Sequence, residues 1–191
     1  MDSRRDLAGM SFLVMEDSMH MIAILRSILN GFGVRKVYEA SDGADGLEVI
    51  GEKIPDFILC DWEMSPTGGA TFVHALRAEK DPRLNTIPVL VISGHSHKRN
   101  VLEAMQLGVH GFLAKPVSPT GLYQHVASIL YRQSIDGRSK GMTPPSRSLS
   151  RQEKNEIREE IINDSIETAE QGEKGRGYPF MLKGMNERLF N

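Results

Sequence analysis

A single cysteine, Cys60, and a single tryptophan, Trp62, stand among 191 residues. One thiol cannot close an internal disulfide, so the fold must rest on apolar burial, and the lack of such staples suits a reducing cytoplasm. A charge bias is missing too: 23 bases face 25 acids, for a net charge of -2. With a pI near 6.3 there is no basic face to track a phosphate backbone, which excludes nucleic acid as an expected partner. No run comes near the roughly 18 uninterrupted apolar residues that a membrane span requires. The first twenty residues carry Arg4 and Arg5 but are soon broken by Asp6, Glu16 and Asp17, so they lack the apolar stretch of a signal peptide. A cytoplasmic protein with no membrane contact is expected. What remains is 40% hydrophobic and 25% charged, the balance of a soluble globular chain long enough for one ordinary domain and an appendage.

Within that composition, short apolar runs stand out. Phe57-Ile58-Leu59-Cys60 ends abruptly on Asp61, with Pro55 before it and Gly68-Gly69 after it. A run of this length between turn residues reads as a parallel strand covered on both faces. Ser11-Phe12-Leu13-Val14-Met15 ends on Glu16-Asp17, Val89-Leu90-Val91-Ile92 ends on Ser93, and Gly111-Phe112-Leu113-Ala114 ends on Lys115-Pro116. A fifth strand is expected around Val37-Tyr38. Apolar residues at helical spacing lie between the strands: Met21 to Leu29 closed by Asn30-Gly31, then Leu47 to Ile50, Ala70 to Ala78, Val101 to Leu107, and Leu122 to Leu130. Asp81-Pro82 and Pro88 are expected to bracket a loop. Five alternations of strand and helix predict an α/β fold, a doubly wound five-stranded parallel sheet of flavodoxin-like type with helices on both faces.

Right-handed crossovers bring the strand ends to one rim, where such sheets place their sites. There Glu16, Asp17, Asp61, Ser93 and Lys115 would meet: three acids, a hydroxyl and an ammonium. Three carboxylates so close repel one another unless a cation lies among them, and a hard ion such as Mg²⁺ with oxygen ligands relieves this. Magnesium leaves positions for phosphoryl oxygens, and the lysine and serine can neutralise and bind others. Aspartate itself can carry the group as an acyl phosphate.

These positions resemble the signature of response-regulator receiver domains, over roughly residues 10 to 132. The resemblance implies a two-component phosphorelay protein in which Asp61 takes a phosphoryl group from a histidine kinase or a histidine phosphotransfer protein. It further implies that Asp17 and Asp61 contact the metal directly, Glu16 acts through water and the Glu63 backbone carbonyl completes the protein ligands. Lys115 and Ser93 would hold the phosphoryl oxygens, while Ser93 and Phe112 form a switch that alters contacts with a downstream protein. Self-phosphorylation and self-dephosphorylation are then the only catalysis expected. The rivals are a magnesium-dependent phosphohydrolase using an aspartyl phosphate, against which stands the lack of an Asp two residues after Asp61, and a receiver-like scaffold that is never phosphorylated.

Three departures mark this chain. Residue 65 is Ser, with Pro66 one place late; Phe112 lacks the commoner tyrosine hydroxyl; and Glu63 and His95 stand two places beyond Asp61 and Ser93. Glu63 and His95 are expected to tune the lifetime of the phosphoaspartate. Trp62 and Met64 are expected to be exposed loop residues, and His20, His74, His97, His110 and His125 surface residues. Residues 1–9 read as a flexible arm and 133–150, with Gly137, Gly141, Pro144 and Pro145, as a linker. In 151–191, Ser150-x-x-Glu153 is a capping-box pattern opening an acidic helix with Ile157, Ile161, Ile162 and Ile166 along one side. So few apolar residues cannot build a second core. This segment either stays a solvated tail with a transient helix, or folds on a partner or back on the receiver.

Overall fold

The computed structural model describes residues 7–94 and 98–135. Five parallel strands, β1 (Ser11–Met15), β2 (Lys36–Ala40), β3 (Phe57–Asp61), β4 (Val89–Ser93) and β5 (Gly111–Ala114), form one sheet in the order β2-β1-β3-β4-β5. Between and after them run α1 (Met19–Gly31), α2 (Gly43–Lys53), α3 (Gly69–Ala78), α4 (Pro82–Asn85), α5 (Lys98–Gln106) and α6 (Pro119–Ile135). The doubly wound flavodoxin-like sheet expected from the alternation is present.

Side-chain alternation along the strands builds two cores. Phe12, Val14, Phe57, Leu59, Leu90, Ile92 and Leu113 meet Ile22, Leu25 and Leu29 of α1 and Leu122, Val126 and Ile129 of α6. The opposite set, Leu13, Met15, Ile58, Cys60, Val89, Val91 and Phe112, meets α2, α3 and α5 through Ile50, Phe72, Val73, Leu76, Val101 and Met105. β1, β3 and β4 are buried at every position, as the unbroken apolar runs require of strands covered on both faces. At the end of the sheet remote from the rim, Asp56 Oδ2 accepts from Ser11 N at 2.9 Å and from Ser11 Oγ at 2.8 Å, fixing the register of β3 beside β1.

Several expectations are corrected. The arm is not loose throughout: a 3-10 turn covers Leu7–Gly9, and Leu7 is buried because its side chain closes the core beneath α1. The expected loop after Asp81 contains the one-turn helix α4, since the Asp81 side chain accepts from Arg83 N and Pro82 is pre-set for a first helical turn. α6 runs on through Ile135, past the expected boundary at 132, and Ser134 is buried. Most of the expected linker and all of the 151–191 segment lie outside the described residues. No helix among the described residues is long and apolar enough to cross a membrane.

Candidate functional site

β1 and β3 lie side by side in the sheet, so their carboxyl ends bring Glu16 and Asp61 together. The Glu16 N–H donates to the carbonyl of Ala40 at 3.0 Å, which ties the end of β1 to β2. Beyond it, Ser18 caps α1: its hydroxyl accepts from Met21 N at 3.4 Å, and its own N–H donates to Glu16 Oε1 at 3.4 Å. From the other side, Lys115 N donates to the Ser93 carbonyl at 2.8 Å, extending the β4–β5 pairing by one residue past the strand. The lysine is thereby delivered across the rim.

Its ammonium joins the two acids. Lys115 Nζ lies 2.7 Å from Glu16 Oε2 and 2.8 Å from Asp61 Oδ2. The two carboxylate side chains are 2% and 6% exposed and the lysine 24%, so the bridge is reached by solvent from the lysine side. Burial pushes the Glu16 carboxyl above its usual value, with the Asp61 charge adding to this and the Lys115 hydrogen bond opposing it. Burial is also the largest influence on Lys115 and pulls it down, but the hydrogen bonds and charges of Asp61 and Glu16 together outweigh it and leave the ammonium above the ordinary lysine value. Asp17 is exposed, yet Glu16, Asp17 and Asp61 can each offer a carboxylate oxygen with all three within 4.8 Å of one another. Such a set of oxygen donors, only partly neutralised by one lysine, fits a hard divalent cation that keeps part of its water.

The loop after Asp61 is bent back sharply. Glu63 N donates to Asp61 Oδ1 at 3.2 Å, and Gly69 N donates to the Trp62 carbonyl at 3.1 Å. A Cβ on Gly69 would lie 2.5 Å from the Asp61 carbonyl oxygen and 3.1 Å from Cys60 Sγ, so no side chain is tolerated where α3 begins. This fold-back corrects the expectation for Trp62 and Met64. Both are only 8% exposed, packed on the core beneath the loop rather than held in solvent. Within the loop the Ser65–Pro66 peptide is cis, as is Lys115–Pro116 across the rim.

Of the expected site residues, the structure brings Glu16, Asp17, Asp61 and Lys115 together. Ser93 is fully buried at the end of β4, opposite Ala114 in register. Phe112, 1% exposed, pairs with Val91 two residues earlier, so Ser93 and Phe112 share one face of adjacent strands. The Glu63 side chain is exposed on the loop. His95 lies outside the described residues, as does His97. His125 is buried, against its expected surface place, because it falls between the core positions Leu122, Val126 and Ile129 of α6. Burial, helped by the charge of Arg132, pulls its pKa down to about 4. Cys60 is fully buried, as expected, and burial followed by the nearby Asp61 and Glu16 charges raises its thiol pKa and leaves it unreactive. The reading from sequence missed Ser18 as the cap that orients Glu16 and Gly69 as the closest approach behind Asp61; a serine before a helical pattern and a glycine pair after an acid are the signals present for both.

Comparison with known proteins decides the family. The model of the response regulator receiver domain matches residues 12–127. The chain belongs to the response regulator receiver family. As a receiver it is 31% identical over 123 residues to the chemotaxis protein CheY of Pseudomonas aeruginosa, covering 64% of this chain and 98% of that one. It is 40% identical over 111 residues to protein-glutamate methylesterase/protein-glutamine glutaminase 1 of Myxococcus xanthus, a match over 58% of this chain that spans only 31% of that protein. Among solved structures, the signal receiver domain of a signal transduction histidine kinase from Syntrophus aciditrophicus superposes with a TM-score of 0.60 at 26% identity, over 71% of this chain and 98% of that one. The receiver is thus a response regulator of two-component phosphorelay signalling.

Proposed function

We propose that Asp61 is the phosphoryl acceptor and that its phosphorylation switches the contacts of this receiver with a downstream protein. The observation that carries this reading is the Lys115 ammonium shared between Asp61 and Glu16 at the rim of the sheet. In the step itself an Asp61 carboxylate oxygen forms a bond to phosphorus as the bond from phosphorus to the donor's imidazole nitrogen breaks, and the freed imidazole takes a proton. The donor is a histidine kinase or a histidine phosphotransfer protein, and the setting is the cytoplasm.

Each neighbour has a part in this reading. Mg²⁺ would be held by Asp17, Asp61 and the Glu63 carbonyl, with Glu16 acting through water. When bound, it supplies positive charge that offsets the incoming phosphoryl oxygens. The Lys115 ammonium exchanges one carboxylate partner for a phosphoryl oxygen, and the Ser93 hydroxyl donates to another. Ser93 then moves toward the rim, and Phe112, on the same face of the next strand, repacks; these two form the switch. Glu63 and His95 set how fast water reaches the acyl phosphate. Unchanged dephosphorylation rates in both Glu63→Ala and His95→Ala would remove that last assignment.

The test is incubation of the whole chain with acetyl phosphate and Mg²⁺. One phosphoryl group per chain is expected, with none on Asp61→Asn and little without the cation. Continuous release of phosphate from a small ester would instead indicate a hydrolase, and no label under any condition a scaffold.

A further inference from the structure

The turn between β2 and α2 carries none of the groups assigned to the site, yet it touches both stretches that do. Its first tie is the Ala40 carbonyl, which accepts from Glu16 N at 3.0 Å. Its second is Gly43, the first residue of α2, whose N–H donates at 2.8 Å to the Thr67 carbonyl in the loop after Asp61. There is no slack at that point. A Cβ on Gly43 would lie 2.7 Å from Thr67 Cγ2, 3.0 Å from Phe72 Cβ and 3.1 Å from the Thr67 carbonyl oxygen. Near the next helical turn, a Cβ on Gly46 would lie 2.5 Å from Cε of Met15, the residue before Glu16. The turn is itself braced. Asp42 Oδ1 accepts from Ala44 N at 2.7 Å and from Asp45 N at 3.1 Å, while Asp45 Oδ2 accepts from Ser41 N at 2.9 Å.

We infer that Gly43 is a positioning residue for the cation site: through its contact with Thr67, the capped start of α2 sets where the loop after Asp61, and with it the Glu63 carbonyl, stands relative to the acids that end β1. This rests on the proposal that Mg²⁺ is held by Asp17, Asp61 and the Glu63 carbonyl, and it does not depend on phosphoryl transfer. A shift at Thr67 has no room to die out within the loop. Gly69 N closes the loop on the Trp62 carbonyl at 3.1 Å, Trp62 and Met64 are packed in the core beneath it, and Glu63 N donates to Asp61 Oδ1 at 3.2 Å. A methyl group on Gly43 therefore displaces the Glu63 carbonyl along with Thr67. The acids of β1 would stay behind, because the Ala40 carbonyl holds Glu16 N from the other end of the same turn. Groups that only orient metal ligands typically carry a factor of about 10–100 in metal affinity, and Gly43 would act in this way without touching the cation.

Calorimetric titration of Mg²⁺ into the unphosphorylated full chain tests this. Gly43→Ala is expected to weaken Mg²⁺ binding about tenfold, and adding Thr67→Ser, which removes the obstructing methyl group, should restore most of that loss. Asp56→Ala frees Ser11 at the opposite end of the sheet and serves as the reference for lost stability alone; its affinity should stay within about twofold of the wild type. Should Gly43→Ala fail to fold, Asp42→Ala loosens the same turn without a clash. It should weaken binding about threefold, while Asp42→Asn, an equally good cap that has also lost the charge, should not. An affinity unchanged in Gly43→Ala or Asp42→Ala, no recovery with Thr67→Ser, or an equal loss in Asp56→Ala or Asp42→Asn would overturn the inference. A wild type that binds no Mg²⁺ would remove the reading of the cation site itself, and this inference with it.

Discussion

Lys115 carries the largest electrostatic role of any single residue in the site, because two buried carboxylates share its one ammonium. Removing one partner of such a group leaves the others desolvated and unpaired. Lys115→Ala is therefore expected to lower the unfolding free energy by about 1–3 kcal/mol in urea titrations without divalent cation. Because Lys115 is raised above 10.5 in the fold, its contribution is complete below that pH and is lost as the pH climbs through the folded value. His125 acts in the opposite range. Its folded pKa of about 4 lies below the unfolded 6.5, so the unfolded chain binds the extra proton between those values and stability falls as the pH drops from 6.5 toward 4. At pH 5 the loss relative to pH 7 should be about 2 kcal/mol, and His125→Phe should flatten that part of the urea-stability profile. The rim residues were legible in the sequence because each ends an apolar run, which both marks a strand and fixes where the side chain emerges. His125 and Trp62 were not. A lone histidine in a helix has no pattern to announce its burial, and Trp62 follows a strand as loop residues do, its burial depending on a fold-back that only the glycine pair hinted at.

Elements, rather than residues, hold Asp61 at its height above the sheet. β3 ends on it, and α3 starts so close behind that Gly69 has no room for a methyl group. The obstructing atom is a backbone carbonyl oxygen at 2.5 Å, which cannot swing aside as a side chain would. Gly69→Ala should cost about 2–3 kcal/mol in chemical denaturation and, on the proposed role of Asp61, slow labelling by acetyl phosphate, since the loop after Asp61 must shift. Near the C-terminal end of α3, Arg77 donates to the carbonyls of Gly108, Asn85 and Ile87 at 3.1, 2.9 and 3.0 Å, tying α3 to the last residue of α4, to the segment that follows it and to the turn before β5. Burial lowers its pKa to about 10, still charged at neutral pH. Arg77→Leu leaves three carbonyls without their donor, and a loss of about 2–4 kcal/mol in the same denaturation measurement is expected. Strand order and helix periodicity made β1 to β5 and most helices readable in advance. α4 and the Arg77 tie were hidden, the first because one helical turn has too few residues for a period, the second because an arginine bonded to distant carbonyls leaves no trace in its local sequence.

At the scale of the whole molecule, parallel strands with right-handed crossovers gather groups distant in sequence: 99 residues separate Glu16 from Lys115, and 54 separate Asp61 from Lys115. The same winding that buries two apolar cores assembles the acids and the ammonium, so the site is a consequence of the topology and is not built by any one segment. Residues 151–191 hold few apolar side chains, which is why the sequence leads one to expect no second core there; they lie outside the described residues. The most direct test of this account is intact-mass analysis of the full chain after acetyl phosphate and Mg²⁺, beside Asp61→Asn. The account predicts a single added phosphoryl group on the wild type, removed by mild base as an acyl phosphate must be, and none on the variant. An equal label on Asp61→Asn, or a wild type that never gains the group, would contradict it.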